Sequence, residues 1–150
     1  MITVEAADPT AQGPAALLAQ SHALMNAMFP ADACHYLDLA ALQADHIRFF
    51  AARTGGHVVG TGALAVMDRY GEVKSMFTDE AGRGQGVAAA ILRMIEDTAR
   101  GEGLPLLRLE TGRGLDAAHR LYRRFGFTEC RAFGTYTDGP YSLFFEKALT

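Results

Sequence analysis

Asp79-Glu80-Ala81-Gly82-Arg83-Gly84-Gln85-Gly86-Val87-Ala88 carries three glycines within five positions, between one segment with strand character and another with helical spacing. Before it, Glu72 to Thr78 reads as a strand. After it, Val87, Ile91, Ile95 and Ala99 recur every four residues to Arg100, with Gly101 positioned to stop the helix. A glycine-dense loop lets the backbone approach a ligand. The leading turn of a helix adds unpaired N–H groups, with the positive end of the dipole behind them. Together they make an anion cradle suited to a pyrophosphate. The alternative is an ordinary turn without a ligand, for which three glycines are an entropically costly choice.

Working outward, Leu106-Leu107-Arg108-Leu109-Glu110 is a further strand, so Glu72 to Glu110 has the lengths of one βαβ unit with a right-handed crossover and parallel strands. Upstream, His46 to Arg53 and His57 to Met67 flank Thr54-Gly55-Gly56, which predicts an antiparallel hairpin. Ile2 to Ala6 alternates as a short strand does. Apolar residues at helical spacing predict a helix over Ala15 to Met28, stopped by Pro30, and a second short one over Leu37 to Gln43. Leu115 to Phe125 makes a last helix, closed by Gly126, and Ser142 to Lys147 returns as a terminal strand. The fold class is therefore α/β with a mixed sheet. With no internal repeat or long linker, residues 1–150 read as a single domain.

Composition agrees. At 150 residues with 49% hydrophobic content the chain can build a core, which excludes a disordered tail. A net charge of -3 gives no overall pull toward nucleic acid or an anionic membrane, so any phosphate site must be local. The two cysteines, Cys34 and Cys130, lie far apart and argue for a reducing compartment rather than a disulfide framework. No apolar run approaches the roughly 18 to 20 residues of a membrane span, and Met1 to Glu5 lacks the basic start of a signal peptide. The expectation is a cytoplasmic protein.

Which phosphate ligand the loop takes is narrowed by what is missing. Without Gly-Lys-Ser/Thr there is no Walker site. Gly84-x-Gly86-x-x-Ala89 fits a dinucleotide fingerprint, with Glu110 as the ribose-binding acid, and keeps a nucleotide-dependent oxidoreductase as an alternative. Its context is poor, because an antiparallel hairpin precedes the loop and too little chain follows Glu110 for several more βα units.

Two segments carry a family resemblance. Arg83-Gly84-Gln85-Gly86-Val87-Ala88 matches the (Gln/Arg)-x-x-Gly-x-(Gly/Ala) signature of the GNAT superfamily of acetyl-CoA-dependent N-acetyltransferases. Ala118-His119-Arg120-Leu121-Tyr122-Arg123-Arg124-Phe125-Gly126-Phe127 resembles that family's A-x-x-L-Y-x-x-x-G-F segment. The order of elements is similar across nearly the whole chain, and Leu109-Glu110-Thr111-Gly112 with Tyr141 to Lys147 resembles small stand-alone bacterial members.

The resemblance implies a GNAT acyl-CoA N-acyltransferase fold, and acetyl-CoA as cosubstrate with no metal. It implies direct transfer of the acetyl group to a primary amine, on a small molecule or a protein, in a ternary complex. Amides of Gly84, Gln85, Gly86, Val87 and Ala88 would hold the pyrophosphate, with Arg83 at the entrance. Main-chain groups of Met76, Phe77 and Thr78 would pair with the pantetheine arm. Tyr122 takes the general-acid position, its phenol of ordinary pKa about 10 facing a thiolate of about 8.5; the alternative is an aromatic packed on the last helix. Glu72, on the first strand of the βαβ unit, takes a general-base position; the alternative is a solvated strand-end carboxylate. A strand N–H near Met76 or Phe77 would polarise the acetyl carbonyl.

His35, Tyr36 and Tyr136 are candidates for the acceptor site, with loop packing as the plainer role. Asp32, Cys34, His35, Tyr36 and Asp38 lack the paired spacing of a structural zinc site, and nothing near Cys34 marks it as a nucleophile. In the basic run Arg120, Arg123, Arg124 and Arg131, most charges should face water, with one available to the 3′-phosphate of CoA. A homodimer is common in the family. A catalytically weak acyl-CoA sensor keeps the same cradle and stands as the other alternative.

Overall fold

Gly55 and Gly56, both at positive φ, turn the chain between β2 (Ile47–Thr54) and β3 (His57–Val66), the antiparallel hairpin at the heart of the sheet. The computed structural model describes residues 1–149. Around the hairpin, β1 (Thr3–Ala6), β4 (Gly71–Thr78), β5 (Leu106–Gly112), β6 (Thr128–Cys130) and β7 (Ser142–Ala148) complete one seven-stranded sheet in the order β1-β2-β3-β4-β5-β7-β6. Every neighbouring pair is antiparallel except β4 and β5. That single parallel pair is the expected βαβ unit, and it removes the multi-strand parallel sheet that a dinucleotide fold requires.

Two irregularities shape the middle of the sheet. The parallel ladder runs only through Gly71↔Leu107 and Glu72↔Arg108, after which β4 and β5 part and β5 continues against β7 alone. Opposite β3, Thr61 pairs with Phe77 but Ala63 with Lys74, so β4 carries one extra residue there. Ser75 absorbs it at φ 57, and its carbonyl accepts from Thr61 Oγ1 at 2.8 Å.

Helices cover both faces. On one, α3 (Val87–Gly101) buries Val87, Ile91, Leu92, Ile95 and Ala99, and α4 (Asp116–Arg124) buries Leu121 and Tyr122, against Leu64, Val73, Leu107, Leu109 and Phe145. Each large aliphatic side chain fully buried there contributes about 1.5–3 kcal/mol. Gly60 and Gly62 of β3 set the depth of this packing: a Cβ on Gly60 would come within 2.6 Å of Val87 Cγ1, and one on Gly62 would strike Ile91. The glycines bring the leading end of α3 onto the sheet. On the other face, Leu18 of α1 (Gln12–Met28) and Leu42 of α2 (Leu39–Leu42) pack on Ile47, Phe49, Ala63 and Ala65.

Three departures from expectation have a clear physical reason. α1 starts at Gln12, because Pro14 falls in the first turn, where the missing N–H has no intrahelical partner to lose. Gly101 does not stop α3. The left-handed residue is Gly103 at φ 75, and the Gly103 and Leu104 N–H groups return to the carbonyls of Arg100 and Ala99 in a Schellman arrangement. β6, only three residues long, is too short for a strand period to show. Among the described residues, no helix is long and apolar enough to cross a membrane.

Candidate active site

The glycine loop is open where a ligand would lie. Asp79 folds its entrance, its carboxylate accepting from the Gly82 N–H at 2.9 Å. Gly84 and Gly86 then adopt φ 75 and 83, and a Cβ built on either meets nothing within 4 Å. Gly86 caps α3 without a side chain, and the first intrahelical bond runs from Ala90 N–H to its carbonyl, so the N–H groups of Val87, Ala88 and Ala89 have no helical partner. The side chain of Gln85 turns back to donate to the Ala81 carbonyl at 2.8 Å, away from the loop's open side.

Above this loop lies a cleft of about 710 Å³. Met76, Phe77 and Thr78 of β4 form one wall, with Arg83, Gly84, Gly86, Val87 and Ala88 beside them. Leu115, Ala118, Leu121, Tyr122 and Arg124 form the opposite wall, and Leu24 and Met25 of α1 lean over the end. Arg124 is thus the one member of the basic run that lines the cleft. Arg123 instead pairs with Glu129 at 3.6 Å and lies over the Phe145 ring, while Arg120 and Arg131 face solvent.

Tyr122 is both a packed aromatic and a wall of the cleft. Its ring is buried against Phe127 and Phe145, with centroids 5.8 and 6.3 Å away, and the same residue lines the cleft. Burial, and then the charge of Glu110, push its phenol well above the ordinary value, so it stays protonated. Tyr136 is pushed up as well, by burial and then by Glu72. In a spectrophotometric titration, Tyr122 and Tyr136 should be the last of the five tyrosines to ionise. The sign for stability follows: unfolded phenols lose protons from about pH 10, while these two keep theirs, so stability should decline as pH rises past that point. Two Tyr→Phe variants that leave the late-titrating signal intact would contradict this.

On the α1 and α2 face of the sheet, five segments of chain converge on a polar cluster. Glu72 and Lys74 stand opposite Ala65 and Ala63 of β3, which fixes their side of the sheet. Glu72 is buried; its Oε2 accepts from the Tyr136 hydroxyl at 2.5 Å and lies 3.4 Å from Lys74 Nζ. Lys74 also donates to the Tyr136 oxygen at 2.8 Å and to the His35 carbonyl at 3.0 Å, so one ammonium fastens both loops covering this face to β4. Glu110 of β5 accepts from Ser142 Oγ at 2.8 Å, and His35 Nδ1 stands 3.5 Å from the same carboxylate oxygen. The late loop is held further by Phe133, which meets Tyr70 edge-on, the Arg108 guanidinium lying over both rings, 5.5 and 5.1 Å from their centres.

A family model described as the acetyltransferase (GNAT) family matches residues 18–127. The chain belongs to the GNAT family. It is 39% identical over 150 residues to an IAA acetyltransferase of Azospirillum brasilense, covering 99% of this chain and 98% of that one. A Klebsiella pneumoniae protein classed as an acyl-CoA N-acyltransferase superposes with a TM-score of 0.87 at 34% identity, covering 100% and 99% of the two chains. A GNAT acetyltransferase of Elizabethkingia anophelis, solved with acetyl-CoA bound, shares the fold with a TM-score of 0.72 at 17% identity, over 98% and 97% of the chains.

The protein is thus a GNAT acyltransferase with a mixed α/β sheet, from a family that uses acetyl-CoA and acts on amines. Its cleft fits that cosubstrate: an open cradle where side chains are absent, free amides at a helix start, a strand edge, and Arg124 near the far wall. Among the expected site residues, Met76 to Thr78, the glycine loop and Tyr122 come together around the cleft, whereas Glu72 sits on the other face beside Tyr136 and His35. Glu72 is not a solvated strand-end group, because Tyr136 and Lys74 enclose it. Tyr36 stays outside the cluster, stacked on His22 at 3.9 Å and donating to Asn26. The Cys34 thiol points back at the carbonyls of Met25 and Pro30, and Asp38 caps α2, so this segment serves local packing apart from His35.

Glu110, expected only as a ribose-binding acid of the dinucleotide alternative, joins this polar cluster. A signal was present. Leu107 and Leu109 alternate into the core, which places Arg108 and Glu110 on the face that Glu72 shares.

Proposed function

We propose that this GNAT enzyme transfers the acetyl group of acetyl-CoA to a primary amine by direct attack, with both substrates bound at once. The observation that carries this is the parting of β4 and β5. It leaves Tyr122 on one side of the sheet and the Glu72, Glu110 and His35 cluster on the other, with the Glu110 charge still acting on the Tyr122 phenol between them.

Acetyl-CoA supplies an acetyl group activated as a thioester. The chain supplies the rest. Amides from Gly84 to Ala88 hold the diphosphate, with Arg83 at the loop entrance and Arg124 across the cleft toward a further phosphate. Ser75 and Met76 fall out of register with β3, which supports an N–H of Met76 or Phe77 as donor to the acetyl oxygen. Tyr122 holds its phenolic proton at the cleft, ready for a departing thiolate, and the protonated state favoured by burial suits that role.

Two carboxylates are available to the incoming ammonium. Glu72 already accepts from Tyr136 and is offset by Lys74, which suits it to fix the charge balance and the loops. Among the described residues Glu110 accepts from Ser142 alone, and its charge acts on both Tyr122 and Tyr136, which supports Glu110 as the base first and Glu72 second. The test is thiol release from acetyl-CoA in the presence of benzylamine, a diamine, an amino acid and a lysine-containing peptide. Release above the hydrolysis background with at least one is expected, along with saturation in both substrates and intersecting double-reciprocal lines. Release with none, or the parallel lines of a ping-pong enzyme, would overturn the proposal.

A further inference from the structure

His35 lies between α1 and α2 and is held from three sides. Its carbonyl takes the Lys74 ammonium at 3.0 Å, its ring meets Tyr136 edge-on with centroids 5.2 Å apart, and its Nδ1 stands 3.5 Å from Glu110 Oε2. Nδ1 is buried and has no hydrogen-bond partner among the described residues, Glu110 at 3.5 Å lying beyond the usual hydrogen-bond length. Yet 33% of the side chain remains exposed. The imidazole therefore reaches from a buried carboxylate to water. Glu110 is only 10% exposed, and the charged or titratable groups facing the pair are Glu72 and Lys74 from β4, Tyr136 from the late loop and Tyr122 from α4. Lys74 is shared among His35, Tyr136 and Glu72, so among the described residues Glu110 has no fixed cation of its own.

We infer that His35 is a proton-relay residue, carrying to solvent the proton that an acceptor ammonium gives up at Glu110. The inference rests on the amine-acetylating function proposed above. In the relay, an N–H bond of the ammonium breaks and its proton bonds to a Glu110 oxygen, leaving the nitrogen lone pair free to attack. The carboxylic acid passes that proton to the lone pair on His35 Nδ1, restoring the carboxylate and forming an imidazolium. The imidazolium releases the proton on Nε2 to water, and exchange with water returns the remaining proton from Nδ1 to Nε2. No electron changes hands, and no co-reactant besides water takes part. A 3.5 Å approach in the free enzyme is compatible with this, because such contacts tighten when substrate binds.

The experiment is steady-state acetyl transfer by the full chain, using the amine of the panel that is turned over fastest. Wild type is compared with His35→Gln, Glu110→Gln and the double variant, with His35→Asn as a second isostere should the first fail to fold. At neutral pH, kcat/KM for His35→Gln should fall by about 10- to 100-fold. The loss should disappear at a pH where the amine arrives unprotonated, and the double variant should be no worse than Glu110→Gln alone. Packing alone predicts a loss that is independent of pH and that adds to that of Glu110→Gln. Either of those results, or an unchanged kcat/KM, would overturn the relay. A wild type inactive on every amine overturns the proposed function and the relay together; an active one with an indifferent His35 overturns the relay alone.

Discussion

Gly86→Asp should abolish acetyl-CoA uptake while leaving the protein folded. A Cβ at this position meets no atom within 4 Å, so the fold has no clash to relieve, only the strain of a non-glycine residue at φ 83. That strain is about 1–2 kcal/mol, less for Asp than for most residues. The ligand fares worse, because the added carboxylate enters the space above the free amides at the head of α3 and sets a negative charge against a diphosphate. Calorimetry should register no heat of CoA binding, and thermal unfolding should fall by only a few degrees. Gly86→Ala separates the causes: it carries at least as much backbone strain without the charge and should weaken binding without abolishing it. Full-strength CoA binding by Gly86→Asp would remove the loop from the site.

Tyr122→Phe should lower kcat by about 10- to 1000-fold and leave the affinity for CoA nearly unchanged. The substitution keeps the ring between Phe127 and Phe145, so packing is preserved and only the hydroxyl is lost. Because burial keeps that hydroxyl protonated, wild-type activity should not decline on the alkaline side through its ionisation near the ordinary phenol pKa of about 10. A rise in KM for acetyl-CoA with kcat unaltered, or no change in either, would leave Tyr122 a packing residue.

Much of the scaffold could be read from local pattern. The four-residue recurrence through Val87, Ile91, Ile95 and Ala99 is a one-face signal that tertiary structure had no reason to override, and all four are buried on α3. The hairpin around Gly55 and Gly56 was equally local. What local pattern does not encode is where pairing stops. That β4 and β5 separate after Glu72 and Arg108 depends on a bulge at Ser75 and on the competing claim of β7 on β5. Glu72 illustrates the same limit. Its neighbours in sequence left it looking like an exposed strand end, and the groups that enclose it include a hydroxyl 64 residues away. Gly101 and Gly103 were indistinguishable as helix terminators without knowing how far the apolar stripe of α3 remained covered.

The division of labour across the sheet has an evolutionary meaning. In the proposed function the grip on the coenzyme comes from β4, the glycine loop and the two helices that follow, and the amine side from the stretches around His35 and Tyr136, both pinned to the sheet by Lys74. Those two stretches can be exchanged or lengthened with the carrier-binding half untouched. New specificities are then reachable by small edits that never pass through an ancestor unable to hold its acyl donor.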